Sequence, residues 1–275
     1  MYTILEKRSL NNNVEEMVIR APYVARHCEP GQFIILRVDE EGERVPLTIA
    51  AYDRAKGSVS IIYQVAGFTT RKLSEKNAGE TITDFVGPLG KPTELHPLKR
   101  VIGIGGGVGA APLYPQLKKL HEMGTSVDLI LGARSKDLII LEDKFSQFCK
   151  NIYVTTDDGS YGMKGLVTDK LKALVEAGEK YDEVIAIGPV IMMKFVSLLT
   201  KPWNLKTSVS LNPIMIDGTG MCGGCRVTVG GQTKFACVDG PDFDGHQVDY
   251  DELMRRQGMY KDEEAHACKI GLKRS

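Results

Sequence analysis

Residues 100–112 read Arg-Val-Ile-Gly-Ile-Gly-Gly-Gly-Val-Gly-Ala-Ala-Pro, and this stretch decides the fold. A short apolar run leads into a glycine loop, and residues 113–123 then have the apolar spacing of a helix. A strand, a glycine loop and a helix in this order predict a phosphate site, because the first turn of a helix has unpaired N–H groups and a partial positive charge. The residues that we expect to contact a nucleotide there are Gly105, Gly106, Gly107, Val108, Gly109 and Ala110.

Strand and helix patterns alternate after this loop. Strands are expected at 127–131, 152–155 and 183–187, and helices at 142–149, 167–177 and 191–199. This alternation predicts a doubly wound α/β domain with a parallel sheet, which we place at residues 98–208.

Ligands of such sheets bind at the carboxyl ends of the strands. The expected binding residues there are Arg134, Asp157, Asp158, Gly159, Gly188, Pro189 and Met192. One of the two aspartates is expected only to cap the next element, and Met192 and Met193 suit a core as well as a binding wall. The sequence does not decide between NADH and NADPH as the bound dinucleotide, because no acidic residue ends the second strand and Arg134 could accept a 2′-phosphate.

The first third of the chain has short strand-like runs divided by turn residues. The runs are Val14–Arg20, 33–38, 45–51 and 59–64, and they predict a small antiparallel barrel within residues 1–97. Arg44, Pro46 and Thr48 place a guanidinium, a stiff turn and a hydroxyl close together, which suits a diphosphate and a polar ring edge. The run Gly67-Phe-Thr-Thr resembles a helix start that would accept a phosphate, although it is more often only a cap.

The C-terminal third, residues 209–275, contains a cysteine-rich loop. It reads Asp217-Gly-Thr-Gly-Met-Cys222-Gly-Gly-Cys225 and is followed by Cys237, which gives the spacing D-x4-C-x2-C-x11-C. The plant-type [2Fe–2S] pattern is C-x4-C-x2-C with a distant fourth cysteine, so Asp217 stands where the first thiolate is expected. Two alternatives remain: Cys268 as the fourth ligand, and a structural zinc ion held by the three cysteines with one more ligand.

Composition limits the function classes. The 275 residues include 35 Lys and Arg against 35 Asp and Glu, so no net field favours nucleic acid or an anionic membrane. Six cysteines are too few for a secreted disulfide scaffold of this length, and neither a signal peptide nor a membrane-spanning run is expected. A cytoplasmic protein is the resulting expectation.

In the order of these motifs the chain resembles the ferredoxin reductase-like flavoproteins, in which FAD lies between a β-barrel and a nucleotide-binding domain. The resemblance implies that Arg44, Pro46, Leu47 and Thr48 form the flavin strand, with Thr48 as the catalytic residue near flavin N5. It also implies that the glycine loop at 105–110 binds a nicotinamide dinucleotide. The other implied flavin contacts are Ile62, Tyr63, Gln64, Val65, Gly67, Thr69 and Thr70, and the turn Gly87, Pro88, Leu89 and Gly90 would allow close backbone approach.

Over nearly its whole length the chain resembles the electron-transfer subunits of two heteromeric enzymes, dihydroorotate dehydrogenase and the electron-bifurcating NADH-dependent ferredoxin:NADP⁺ oxidoreductase. The segment 235–245 is similar to both, whereas an aspartate at the first cluster position is similar to the bifurcating branch. The resemblance implies FAD, NAD(H) and a [2Fe–2S] cluster, electron transfer to a larger flavin and iron–sulfur subunit, and ferredoxin as a partner through that subunit. The alternatives are a stand-alone reductase and a binding module without hydride transfer.

Overall fold

The computed structural model describes residues 1–260, 262–263 and 265–266, so Cys268 lies outside the described residues. Within them the strands are β1 (Tyr2–Asn11), β2 (Val14–Arg20), β3 (Phe33–Arg37), β4 (Val45–Asp53), β5 (Ser58–Gln64), β6 (Thr81–Ile82), β7 (Asp84–Leu89), β8 (Arg100–Gly106), β9 (Ser126–Ala133), β10 (Asn151–Thr156), β11 (Met163–Lys164), β12 (Glu183–Ile187), β13 (Thr207–Ser210), β14 (Arg226–Val229), β15 (Gln232–Phe235) and β16 (Asp242–Asp244). The helices are α1 (Pro22–His27), α2 (Phe68–Ser74), α3 (Ala110–Glu122), α4 (Glu142–Phe145), α5 (Val167–Glu176), α6 (Val190–Thr200), α7 (Ala236–Asp239) and α8 (Tyr250–Gln257).

The first seven strands form one antiparallel sheet that nearly closes into a barrel. Their order is β6-β1-β2-β5-β4-β3-β7, so β6 and β7 lie at opposite edges. Only Thr83 separates these two strands in the chain, which brings the edges together. Buried side chains such as Ile19, Ile34 and Ile61 fill the interior. The predicted antiparallel barrel is confirmed.

The second sheet has the order β11-β10-β9-β8-β12-β13-β16. Its strands are parallel except β16, which comes from the C-terminal third and pairs antiparallel with β13 through Val209 and Phe243. The chain enters at β8, winds outward through β9 and β10, and returns to β12 on the other side of β8. The predicted doubly wound sheet is confirmed, and the strand order reverses between β8 and β12.

The C-terminal third is built around the cysteine loop and the hairpin of β14 and β15. Gly230 and Gly231, both at positive φ, form the hairpin turn. A separate apolar cluster joins this part to the barrel: Phe33 and Ile35 of β3 pack with Met215, Cys225 and Cys237. The cysteine loop therefore rests directly on the barrel wall.

Candidate functional site

The glycine loop lies at the point where the strand order reverses. β8 ends in Gly106 and β12 is followed by Gly188, and a Cβ on Gly188 would lie 3.0 Å from the Cα of Gly106. A Cβ on Gly109 would lie 2.2 Å from the carbonyl oxygen of Ile187. Only glycine lets these two chain segments meet, and the resulting crevice at the carboxyl ends of parallel strands is where such sheets bind nucleotides.

The residues predicted after β12 take different places. Met192 is half-buried, and its sulfur would lie 2.5 Å from a Cβ on Gly106. Met193 is fully buried in the core beneath the sheet. Pro189 is exposed beside the crevice. Met192 is therefore the methionine that faces the glycine loop.

Arg134 and Asp157 to Gly159 follow the neighbouring strands β9 and β10 and are exposed at the same edge of the sheet. The backbone N–H of Asp158 donates to the carbonyl of Arg134 at 3.1 Å. The Asp158 carboxylate accepts from the N–H of Ser160 at 2.9 Å, and hydrogen bonds from Ser160 hold the pKa of Asp158 below its usual range. Asp158 thus acts as a turn residue, and Asp157 stays exposed to a ligand.

On the barrel side, Thr48 is half-buried on β4, where its backbone pairs with Phe33. Pro46 and Leu47 precede it on the same strand, opposite Ile35 and Ile34 of β3. The Arg44 guanidinium, expected at a diphosphate, donates from Nε to the carbonyl of Ile216 at 2.9 Å and from Nη2 to that of Asp217 at 3.2 Å. This contact joins the predicted flavin strand to the cysteine loop.

Gly67 precedes α2 and Thr70 lies in its first turn. The Thr70 hydroxyl accepts from the N–H groups of Ala66 and Gly67, each at 3.0 Å, as the third helical residue of a capping box does. The Thr69 hydroxyl donates to Glu43 at 3.3 Å. Apart from the chain neighbours of Gly67, no atom of the described residues lies within 4 Å of a Cβ placed there, so the entrance to this helix has room for a ligand beside its backbone.

Residues 62–65 alternate between two surroundings. Tyr63 is 1% exposed inside the barrel core, and its hydroxyl donates to Glu15 Oε2 at 2.7 Å. Burial raises the pKa of Tyr63 above its usual value. Ile62 packs in the apolar cluster shared with α3, Gln64 is exposed, and Val65 packs against the barrel core. The Tyr63 side chain therefore points into the core, because side chains alternate along a strand.

Gly87, Pro88, Leu89 and Gly90 were predicted to form a turn, but the first three are the last residues of strand β7, and the chain bends only at Gly90. Gly90 has φ +77°, and a Cβ there would lie 2.8 Å from the ring of Phe33. Leu89 pairs with Phe33 at the end of β7. Glycine is required at position 90 by both its backbone angle and its contact.

The structure brings two of the predicted cluster ligands together. The sulfurs of Cys225 and Cys237 are 3.1 Å apart, and both residues are buried. Cys222 is exposed, and its sulfur accepts from the N–H of Gly224 at 3.4 Å, whereas the Asp217 carboxylate accepts from the N–H of Thr219 at 2.9 Å. Gly218, Gly220 and Gly223 have positive φ, which lets the loop turn around these groups.

This arrangement fits a two-iron cluster. Each iron of a [2Fe–2S] cluster takes two protein ligands, so the pair of Cys225 and Cys237 is suited to one of the two irons. A tetrahedral metal with bonds of about 2.3 Å holds two sulfurs about 3.8 Å apart, so the 3.1 Å pair needs only a small opening. Within the described part of the chain, no three His, Cys, Asp or Glu side chains lie close enough together to hold one metal ion.

Two further arginines contact the loop, and sequence reasoning missed them. Arg226 donates to the carbonyl of Gly223 at 3.2 Å, and Arg256 of α8 donates to that of Gly224 at 3.1 Å. The sequence offers no signal for Arg256, because its partner lies 32 residues earlier and the contact depends on how α8 packs.

Two models of known protein families match parts of this chain. Residues 104–198 match the family model of the oxidoreductase NAD-binding domain, and residues 212–249 match that of the iron–sulfur cluster binding domain of dihydroorotate dehydrogenase B. The fold and these two matches define an NAD-dependent flavin and iron–sulfur oxidoreductase subunit.

Relatives extend over nearly the whole chain. A dihydroorotate dehydrogenase B (NAD(+)) electron transfer subunit homolog of Thermotoga maritima is 48% identical, covering 95% of this chain and 92% of that protein. The electron transfer subunit of Geobacillus thermodenitrificans is 34% identical, covering 90% and 96%. A chain in the structure of the NADH-dependent reduced ferredoxin-NADP oxidoreductase, from work on flavin-based electron bifurcation, is 46% identical with a TM-score of 0.93, covering 100% and 97%.

The chain belongs to the family of the dihydroorotate dehydrogenase B electron transfer subunits and their homologues. The expected resemblance and the cofactor set of FAD, NAD(H) and a [2Fe–2S] cluster are confirmed by these matches. The matched relatives are electron-transfer subunits, which supports a larger catalytic partner for this chain. Of the helices in the described residues, none combines the length and the apolar character needed to cross a membrane.

Proposed function

We propose that this chain is the small electron-transfer subunit of a cytoplasmic, electron-bifurcating oxidoreductase that exchanges electrons among NAD(H), NADP(H) and ferredoxin. The observation that carries this proposal is the cysteine loop, in which Asp217 has the first position of the spacing D-x4-C-x2-C-x11-C and the sulfurs of Cys225 and Cys237 lie 3.1 Å apart. The full-length likeness to the ferredoxin-NADP oxidoreductase chain supports the same assignment. The larger partner would hold the ferredoxin and NADP sites.

The residues of this chain have separate tasks in that function. When bound, FAD links the two-electron chemistry of a nicotinamide to the one-electron chemistry of an iron–sulfur cluster. The glycine loop at 105–110 and the Gly188 turn would hold the dinucleotide in the crevice between β8 and β12. Thr48 on β4 would offer its hydroxyl to the reacting edge of the flavin.

The cysteine loop would hold the cluster through Asp217, Cys222, Cys225 and Cys237. A carboxylate is a harder ligand than a thiolate, so Asp217 would alter the reduction potential of the cluster relative to an all-cysteine site. The exposed side of the loop, at Cys222, is where a partner would approach. We also propose that the chain has three domains, at residues 1–97, 98–208 and 209–275.

A second candidate is the electron-transfer subunit of an NAD-dependent dihydroorotate dehydrogenase. The match of residues 212–249 to the iron–sulfur domain of that enzyme favours it. The two candidates differ in the substrate that the larger subunit would use.

Isolation of the native complex tests the assignment. The complex, captured through a tag on this chain and kept anaerobic, is assayed with NADH, reduced ferredoxin and NADP⁺. We expect NADP⁺ reduction that requires both NADH and reduced ferredoxin. Reduction of NAD⁺ by dihydroorotate, with no ferredoxin requirement, would establish the second candidate in its place.

A further inference from the structure

Arg44 connects the barrel to the cysteine loop. Its guanidinium reaches from the residue before β4 to the carbonyls of Ile216 and Asp217, at 2.9 and 3.2 Å, across 172 and 173 positions of sequence. Both bonds use the planar fork of one side chain, a geometry that lysine cannot reproduce. The contact therefore fixes two successive peptide groups of the loop relative to the barrel.

The same part of the loop packs closely on the barrel wall. A Cβ on Gly218 would lie 2.5 Å from Ile35 Cδ1 and 3.0 Å from Leu89 Cδ1. Gly218 has φ +83°, so the loop turns sharply at the residue after Asp217. Arg44 holds the chain on one side of this turn, and the barrel surface supports the turn itself.

We propose that Arg44 is a positioning residue for the iron–sulfur cluster, because it fixes the backbone that carries Asp217 and places a positive charge beside it. This inference rests on the proposed function, in which Asp217 is a cluster ligand. A reduced cluster carries one more negative charge than an oxidised one, so a nearby cation stabilises the reduced form and raises the reduction potential. Arg44 would then couple the flavin strand, of which it is the first residue, to the cluster.

The test uses Arg44→Lys and Arg44→Ala in the full chain, with Arg54→Lys as the matched control. Arg54 is a half-exposed arginine of the barrel that pairs with Glu29 and lies outside the site. Each protein is purified anaerobically, and FAD is then removed from wild type and variants alike. Iron content, the EPR spectrum of the reduced cluster and its midpoint potential are measured on these flavin-free proteins.

We expect an altered EPR spectrum and a lower midpoint potential in both Arg44 variants, larger for alanine, and wild-type values for Arg54→Lys. If the alanine variant fails to fold, the test uses Arg44→Lys alone. Thermal unfolding then shows whether Arg44→Lys keeps the fold. An unchanged spectrum and potential in the Arg44 variants would overturn the inference and leave Arg44 as a flavin contact only. Wild-type protein without iron would instead overturn the proposed function.

Discussion

At the scale of single residues, the buried pair of Cys225 and Cys237 is the most specific element of the site. The two sulfurs lie 3.1 Å apart, and burial raises the pKa of Cys237 to about 12. Packing alone does not require sulfur at both buried positions, whereas a metal centre requires both thiolates as ligands.

Cys225→Ser is expected to weaken retention of the cluster about 10-fold or more, since the loss of a group that merely supports a ligand already costs that much. Iron and acid-labile sulfide per chain, measured after anaerobic purification, check this. Cys149→Ser is the control, because that thiol lies in the dinucleotide domain and burial raises its pKa to about 12. Full iron content in Cys225→Ser would remove this cysteine from the ligand set.

Gly109→Ala tests the nucleotide crevice. The added Cβ would meet the carbonyl of Ile187 at 2.2 Å, and forcing such a contact costs about 1–3 kcal/mol. We expect the apparent Kd for NADH to rise about tenfold or more, measured by the NADH dependence of flavin reduction. Gly178→Ala is the control, since it places alanine at an unfavourable backbone angle, φ +90°, with no contact from the described residues within 4 Å of the added Cβ and outside the crevice. Equal NADH affinity in the two variants would contradict the assignment.

Some site residues could be identified from the sequence because the chemistry of the site requires their residue type. The glycines at 105–109 and the three cysteines could be identified because few other residues fit tight turns or bind iron. Because side chains alternate along a strand, the Tyr63 side chain points into the barrel core. The prediction that the whole run 62–65 contacts the flavin did not take this alternation into account. The contacts of Arg44 with the loop could not be predicted, because tertiary packing alone brings its partners within reach.

At the scale of elements, the start of α2 combines a stabilising side-chain contact with an open approach to its backbone. Thr70 secures the helix start by accepting two backbone N–H groups, and Gly67 leaves the entrance open. The helix has only seven residues, so its stability depends strongly on this cap.

Thr70→Ala is therefore expected to cost about 1 kcal/mol of folding stability and to reduce the FAD content of purified protein. Thr70→Ser keeps the hydroxyl and is expected to retain both. Chemical denaturation and FAD released per chain give the two measurements. If alanine lowers stability while FAD content stays at the wild-type value, α2 does not contribute to flavin binding.

The observed bounds of some helices and strands differ from the predicted bounds where the local sequence pattern is weak. Helix α4 ends at Phe145, although its apolar spacing predicted a helix to residue 149, because the chain turns there with bonds to Phe145 from Phe148 and Cys149. Strand β16 has only three residues and no alternation long enough to detect. Its pairing with β13 arises from the return of the C-terminal third to the second sheet.

At the scale of the whole molecule, Asp242 links all three parts. Its carboxylate accepts from the Thr93 hydroxyl after the barrel and from Gln116 of α3 at 3.3 Å, and Asp242 itself lies on β16. Its other oxygen, Oδ1, is buried and has no hydrogen-bond partner among the described residues. Burial of the carboxyl group raises its pKa above the usual value.

A raised pKa in the folded state means that folding favours the protonated carboxyl. The stability that this group contributes is complete below the unfolded pKa of about 3.9 and is lost as pH rises through the folded pKa. Asp242→Asn, which carries no charge, is expected to raise the Tm relative to wild type by more at pH 8 than at pH 4. Asp137→Asn, at an exposed position, is the control. A Tm difference that does not change with pH would contradict the assigned pKa shift.

We infer that this one chain connects NADH to an iron–sulfur cluster through a flavin. Anaerobic titration of the purified chain with NADH, followed by flavin absorbance and by EPR, tests it most directly. We expect bound FAD that NADH bleaches, and the appearance of the EPR signal of a reduced [2Fe–2S] cluster during the same titration. Protein that retains iron and flavin but shows no cluster signal at full flavin reduction, or that contains neither, would contradict it.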